Sequence, residues 1–158
     1  FGKAFGMKVL AWSHNLKKID CIDKGVEFVT SEDLFKFSDV LSIHTKLSER
    51  TRGFIDKKKI SLMKKTSIII NTSRGPIINE SDLIFAIKNK LISGVGLDVF
   101  DVEPLPKNHV LRNLMKKYNV LLTPHLGYVS SETYEKFHQG YVDVVETFLK
   151  GKPMNIIN

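Results

Sequence analysis

The stretch SIIINTSRGP, residues 67–76, decides the fold of this chain. Its first part, Ser67–Ile70, is an uncharged β-branched run, which predicts a strand buried on both faces. Polar residues follow at once, and Gly75-Pro76 turns the chain away from the strand. Such a strand belongs to a parallel sheet covered by helices, and these sheets bind ligands beyond the carboxyl ends of their strands. Arg74, at that position, is a candidate anion-binding residue.

Two later segments repeat this arrangement. The run Val95–Val99 predicts a strand, and the segment GLDVFDVEP, residues 96–104, overlaps it and continues beyond it. The run Val120–Leu122 predicts another strand, and TPHLG, residues 123–127, follows it directly. Because the carboxyl ends of parallel strands meet at one edge, we expect the polar side chains of the three segments to share a rim. Those side chains are Arg74, Asp98, Glu103 and His125. A guanidinium, a carboxylate and an imidazole on one rim can bind a 2-keto acid and protonate its carbonyl.

The rest of the chain alternates in the same way. Further strands are predicted at Met7–Trp12, Val26–Val29 and Val40–Ile43. Helices are predicted from the Thr30 cap to about Phe37, over Asp56–Met63, from the Asn79 cap to about Lys90, and over Glu132–Leu149. This order predicts an α/β fold with a doubly wound parallel sheet and helices on both faces.

The composition indicates which kinds of protein and which partners the sequence favours. The 158 residues are 42% hydrophobic and 26% charged, as in ordinary globular domains, and no apolar stretch predicts a membrane span. Cys21 is the single cysteine, which predicts a reducing, cytoplasmic location. The net charge of +7 suggests a nucleic-acid partner, but only four of the 24 basic residues are Arg and the lysines are scattered. We therefore expect no nucleic-acid partner, no membrane partner and no metal site.

The three segments, in this order and spacing, resemble the D-isomer-specific 2-hydroxyacid dehydrogenases. Arg74 and Glu103 are 29 positions apart, and Glu103 and His125 are 22 apart. The loop from His44 through Thr51–Gly53 is also similar to that family. The resemblance implies a Rossmann-type dinucleotide-binding domain over residues 1–150, lacking its first strand and glycine loop. Residues 1–6 would then end the first helix, and residues 151–158 would begin the return to a substrate domain.

The resemblance also implies catalytic roles for three of the rim residues. Arg74 would hold the substrate carboxylate, for which its planar fork suits two parallel hydrogen bonds. His125 would give a proton to the carbonyl oxygen or take it back, and Glu103 would orient the imidazole and favour its charged form. The activity implied is NAD(P)-dependent hydride transfer between a nicotinamide and a D-2-hydroxy or 2-keto acid. The resemblance also implies that the full-length protein is a homodimer. We expect this fragment to be inactive on its own.

Cofactor contacts are implied at both ends of the dinucleotide. Those near the nicotinamide are Thr72, Ser73, Arg74, Asp98, His125 and Gly127, and Ser13 is the one near the adenine ribose. An acid at the end of the Met7–Trp12 strand would favour NAD, but the chain has Ser13-His14-Asn15 there. The family implies NAD, and the residues leave NADP open.

Two other functions stay open at this point. One is a dinucleotide-sensing module, similar to the family's corepressors, that binds the cofactor without significant turnover. The other is nucleic-acid binding, which only the net charge suggests. Turnover with a panel of 2-keto acids separates the enzyme from the sensing module.

Overall fold

The computed structural model describes residues 1–157, and the chain forms two compact units, residues 1–124 and residues from His125 onward. The first unit holds six strands and five α-helices. The strands are β1 (Leu10–Ala11), β2 (Glu27–Phe28), β3 (Val40–Ile43), β4 (Ile68–Asn71), β5 (Gly94–Leu97) and β6 (Val120–Leu122). The helices are α1 (Lys18–Ile22), α2 (Ser31–Phe37), α3 (Lys57–Leu62), α4 (Glu80–Lys88) and α5 (Val110–Leu114), with a 3-10 turn at Gly75–Ile77.

All strand pairs are parallel, as predicted, and they form two sheets. β1 pairs with β2, and the larger sheet has the order β3-β4-β5-β6. In the larger sheet one register row joins the last residues of the four strands, namely Ile43, Asn71, Leu97 and Leu122. The segments that follow these strands therefore leave from one edge. The predicted parallel α/β fold is confirmed, and the division into two sheets was not predicted.

The core lies on the larger sheet, where Ile69 of β4 is fully buried and Val95 of β5 is nearly so. Leu83 of α4 and Ile60 of α3 belong to the same cluster. Burying a side chain of this size stabilises the fold by roughly 1.5–3 kcal/mol. The expectation that both faces of the strands are covered is wrong for β3 and β6, because Val40 is 47% exposed and Leu121 is 64% exposed.

The predicted helix starts are confirmed in three places. The side chains of Thr30, Asp56 and Asn79 accept hydrogen bonds from backbone N–H groups three residues on, at 2.9–3.1 Å. Each such cap contributes about 1 kcal/mol. Residues 1–6, expected to end a helix, form turns whose hydrogen bonds follow the pattern of a helix C-cap, since Gly6 has φ +73° and Met7 N donates to Gly2 O at 2.9 Å.

One predicted strand has the wrong extent, and two short helices were not predicted. β1 covers two residues rather than Met7–Trp12, because its pairing with β2 extends no further. The helices α1 and α5 were not predicted, since each has five residues and is too short to show helical periodicity. Helix α5 is capped by His109, whose Nδ1 accepts from Leu111 N at 3.3 Å, and histidine is not among the preferred cap residues.

The second unit contains helix α6 (Ser131–Leu149), which confirms the predicted long helix. Ser130 caps it by accepting from Thr133 N at 3.2 Å. No residue of α6 is buried, and its apolar side chains include Tyr141 and Phe148, both 69% exposed. None of the helices within residues 1–157 combines the length and the apolar character that crossing a bilayer requires.

Candidate active site

Asn71 builds the turn that carries Arg74. It is the last residue of β4 and is 1% exposed. Its Nδ2 donates to Arg74 O at 2.9 Å, and its Oδ1 accepts from Ser73 N at 3.0 Å. The Ser73 hydroxyl donates to Thr45 O at 2.6 Å, which ties the turn to the loop after β3. A buried amide thus satisfies the backbone of the turn and leaves Arg74 at its exposed tip.

The Arg74 side chain lies against its own turn. Its Nη1 donates to Ser73 O at 2.6 Å, and the residue is exposed. An exposed guanidinium held near a fixed backbone is well placed to take a carboxylate from solvent.

Gly75 brings the Arg74 turn against the segment after β5. A Cβ atom at Gly75 would lie 2.1 Å from the carbonyl carbon of Phe100, so only glycine fits this approach. A crevice at this contact is lined by Asn71, Gly75 and Phe100 among others, and it has a volume of about 10 Å³. That is room for about one water, so any substrate must bind outside it.

Asp98 is the first residue after β5 and is 5% exposed. Its backbone N–H donates to Asn71 O at 2.9 Å, and its Oδ1 accepts from the Thr123 hydroxyl at 2.5 Å. These bonds connect the ends of β4, β5 and β6.

Glu103 lies on the exposed surface of the same segment. Its Oε1 accepts from Phe100 N at 2.9 Å, which folds the carboxylate back toward the end of β5. Farther on, the Arg112 guanidinium of α5 donates to Leu105 O at 2.8 Å and to Pro106 O at 3.0 Å. The segment that bears Glu103 is therefore held on both sides.

Burial raises the pKa of the neighbouring Asp101 carboxyl above its usual value, and the positive charges of Arg52 and His109 oppose that rise. The His109 Nε2 lies 3.2 Å from Glu80 Oε1 of α4. Asp101, two positions before Glu103, therefore interacts electrostatically with Arg52 and His109.

His125 begins the second unit and has a positive φ of 56°. Such a φ is uncommon for a residue other than glycine, and it is concentrated at functional sites. The imidazole is half-buried and packs edge-on against the Tyr128 ring at a centroid distance of 5.8 Å. Gly127 lies exposed in the same segment.

Ser13 follows β1, in the smaller sheet, and is half-buried. Beside it Trp12 stacks on Phe54 at 5.2 Å and 10°, and His14 packs on both rings at 4.9 and 5.3 Å. We call Trp12, His14 and Phe54 the aromatic cluster. Among residues 1–157 no group of three or more His, Cys, Asp or Glu side chains is arranged to hold a metal ion.

The structure thus brings Thr72, Ser73, Arg74, Asp98 and Glu103 to one edge of the larger sheet. It places Ser13 at the end of the smaller sheet and His125 and Gly127 in the second unit, so the grouping of His125 with Arg74 and Glu103 stays a prediction. Sequence reasoning missed three residues that organise the edge: Asn71, Thr123 and Phe100. The signal for Asn71 was a polar residue directly after a buried apolar run.

Comparisons with known proteins identify the family. Residues 1–127 match the model of the D-isomer specific 2-hydroxyacid dehydrogenase, NAD binding domain. The chain is 38% identical over 158 residues to the glyoxylate reductase of Aeropyrum pernix, covering 99% of this chain and 46% of that enzyme. The chain therefore spans about half the length of the curated relatives it matches.

Solved structures give the same result. A Ralstonia solanacearum structure that carries a D-3-phosphoglycerate dehydrogenase assignment matches 99% of this chain and 45% of its own, with a TM-score of 0.91 and 32% identity. The D-lactate dehydrogenase of Aquifex aeolicus, complexed with NAD and lactic acid, matches 96% of this chain and 49% of its own, with a TM-score of 0.84 and 35% identity. From its three ordered segments, its parallel sheet and these matches, the chain belongs to the D-isomer-specific 2-hydroxyacid dehydrogenase family, and most of it corresponds to the family's Rossmann-type NAD-binding domain.

Proposed function

We propose that the protein containing this chain is an NAD(P)-dependent D-2-hydroxyacid dehydrogenase that interconverts a small 2-keto acid and its D-2-hydroxy acid. The observation that carries this proposal is the edge where β4 and β5 end. There Asn71 fixes the Arg74 turn, and Gly75 presses that turn against the segment that bears Glu103. Backbone contacts thereby hold Arg74, which can bind an anion, near the segment that carries the Glu103 carboxylate. The chain in which they do so belongs to this family.

Arg74 is the substrate-binding residue in this proposal. Two parallel N–H donors match the two oxygens of a carboxylate, and a 2-keto acid offers a carboxylate next to the reacting carbonyl. The names of the relatives agree with substrates of this class, since glyoxylate is a 2-keto acid and lactic acid is a 2-hydroxy acid.

The dinucleotide would bind at the carboxyl edges of the sheets, with residues 1–150 as its domain. Asp98 would accept from the nicotinamide carboxamide, Thr72 and Ser73 would lie near its ribose, and Ser13 would lie near the adenine ribose. Gly127 would let the backbone after His125 approach the nicotinamide. The bound cofactor supplies or takes up the hydride at carbon 2.

His125 is the acid–base residue in this proposal. In the reducing direction it gives a proton to the carbonyl oxygen while carbon 2 gains the hydride, which yields the hydroxyl group. In the oxidising direction the imidazole takes that proton back. Glu103 would orient the ring and balance its positive charge. We also propose that the whole protein is a cytoplasmic homodimer.

The test is a turnover assay on the full-length protein. Glyoxylate, hydroxypyruvate and pyruvate are each supplied with NADH or NADPH, and oxidation of the cofactor is followed. Chiral analysis is applied to the glycerate and lactate formed from hydroxypyruvate and pyruvate, because the glycolate formed from glyoxylate is achiral. Formation of a D-2-hydroxy acid supports the proposal. Tight dinucleotide binding with no turnover on any 2-keto acid would instead favour the sensing module.

A further inference from the structure

A side-chain contact joins helix α4 to helix α5. His109 Nε2 lies 3.2 Å from Glu80 Oε1, and the two side chains are only 21% and 27% exposed. Glu80 begins α4, six positions after Arg74. His109 caps α5, six positions after Glu103. The contact therefore links the two stretches of chain that follow the proposed site residues.

The same two stretches also meet through backbone atoms, where Gly75 lies against Phe100. Glu80 lines the crevice at that contact, together with Gly75 and Phe100. The bond from His109 to Glu80 is thus a second attachment between the stretches, close to the first. Two attachments fix a relative orientation, whereas a single point of contact still allows rotation about it.

Hydrogen bonds at both ring nitrogens indicate which form of His109 makes this link. Its Nδ1 accepts from Leu111 N at 3.3 Å, so Nδ1 carries no proton. The proton of the neutral imidazole is then on Nε2, which donates to the Glu80 carboxylate. An imidazolium has N–H groups at both positions and cannot accept from Leu111. The charge that His109 exerts on Asp101 belongs to the protonated ring at lower pH.

His109 is also connected by hydrogen bonds to the chain that follows Glu103. Its backbone N–H donates to Pro106 O at 3.1 Å, and its carbonyl accepts from Arg112 N at 3.1 Å. The Arg112 side chain returns to the carbonyl groups of Leu105 and Pro106. A displacement of His109 is therefore passed on to the backbone two residues after Glu103.

We propose that His109 is a positioning residue for the dehydrogenase reaction. As a neutral ring between Glu80 and the first turn of α5, it holds the segment that bears Glu103 in a fixed place relative to the Arg74 turn. The inference rests on the proposed function, because His109 acts through the role of Glu103 and contacts neither substrate nor cofactor. Without the link, Glu103 would lie less often beside the His125 ring, and proton transfer would slow.

Steady-state kinetics of the full-length protein test the inference with His109→Asn. Asparagine keeps an acceptor for the helix cap, but its side chain is too short to reach Glu80. We expect kcat at saturating cofactor to fall roughly two- to tenfold, which corresponds to one hydrogen bond, with the dissociation constant of the dinucleotide unchanged. Thr30→Ala removes the cap of α2 and controls for a loss of stability elsewhere, so it should keep kcat.

The pH dependence separates positioning from a purely structural role. Because Glu103 favours the charged form of the His125 ring, poorer placement of Glu103 should move the alkaline midpoint of kcat/KM for keto-acid reduction to lower pH. Thr30→Ala should leave that midpoint where the wild type has it.

Two further measurements test the partner and the form of the ring. His109→Asn and Glu80→Gln act on the same bond, so the double variant should match either single variant in kcat within about twofold. Nitrogen-15 NMR of the wild-type histidines should show the Nε2–H tautomer for His109 at neutral pH.

Several results would overturn the inference. These are additive losses in the double variant, an Nδ1–H tautomer or an imidazolium at neutral pH, and a fall in kcat that leaves the pH midpoint unchanged. Absence of turnover in the wild type would overturn the proposed function and this inference together. An active wild type with an equally active His109→Asn would overturn this inference alone.

Discussion

Gly75 and Phe100 meet backbone to backbone, with only 2.1 Å between the position of a Cβ at Gly75 and the Phe100 carbonyl carbon. The contact joins the turn after β4 to the segment after β5. Because both partners are main-chain atoms, no change of rotamer can relieve a side chain placed there. The position of Arg74 relative to the Glu103 segment depends on this contact.

Gly75→Ala should therefore separate the two segments. We expect a loss of about 1–3 kcal/mol in the free energy of unfolding, as for other overpacked sites, and a fall in kcat/KM for the 2-keto acid. Urea denaturation and steady-state kinetics of the full-length protein measure the two effects. Gly140→Ala is the control, because a Cβ there meets no atom within 4 Å and alanine favours a helix. Equal behaviour of the two variants would contradict the prediction.

Arg74→Lys should lower kcat/KM by roughly 10- to 150-fold, since one ammonium replaces two parallel charged hydrogen bonds worth about 1.5–3 kcal/mol. Arg74 is exposed, so the midpoint of thermal unfolding should stay the same. Arg50→Lys, also exposed, is the control and should retain full activity. Unchanged kcat/KM in Arg74→Lys would exclude a bidentate role.

His125→Ala should lower kcat by roughly 10²–10⁴-fold, the usual contribution of a general acid–base residue. The dissociation constant of the dinucleotide should change little, because the imidazole's role concerns the substrate proton. His138→Ala on α6 provides a matched loss of an imidazole. Retention of near-normal turnover in His125→Ala would refute the assignment.

Arg112 should act on turnover through the segment that bears Glu103. Arg112→Met keeps an apolar stem but loses both bonds to the carbonyl groups of Leu105 and Pro106. We expect a fall in kcat of about tenfold, partial recovery in Arg112→Lys, and no change in NADP⁺ or NAD⁺ binding. Lys116→Met is the control near the end of α5. Loss of cofactor binding and turnover in parallel would show a general loss of structure instead.

Asp101 should make stability depend on pH in a stated direction. Folding raises the pKa of its carboxyl through burial, so the folded state holds the proton more tightly than the unfolded state. Its contribution is therefore most favourable below the ordinary carboxyl pKa and is lost as pH rises through the folded value. Denaturant unfolding of wild type and Asp101→Asn from pH 3 to 7 should show the variant gaining relative stability as pH rises. The opposite slope would mean that Arg52 and His109 dominate.

The sequence predicts those parts of the fold that depend on local chemistry. Thr30 and Asn79 cap helices because a side-chain oxygen reaches an N–H three residues away, and the β-branched run before Asn71 forms a strand. The carboxyl edge follows from the parallel order of strands. These features can be predicted without knowing which distant residues contact them.

The features that were missed arise from contacts between distant residues. The division into two sheets depends on which strands pair, and the position of Phe54 on Trp12 joins residues 42 positions apart. In the candidate site, the bonds of Asp98 with Thr123 and with Asn71 likewise cross between strands. The relation of His125 to Arg74 depends on how two compact units are arranged, which sequence spacing does not determine.

Trp12 is the only tryptophan among these 158 residues, and it stacks on Phe54 next to Ser13. Its indole is therefore an intrinsic optical reporter at the end of β1. A ligand that binds to this loop should change the fluorescence of Trp12, so binding can be followed in real time without attaching a dye.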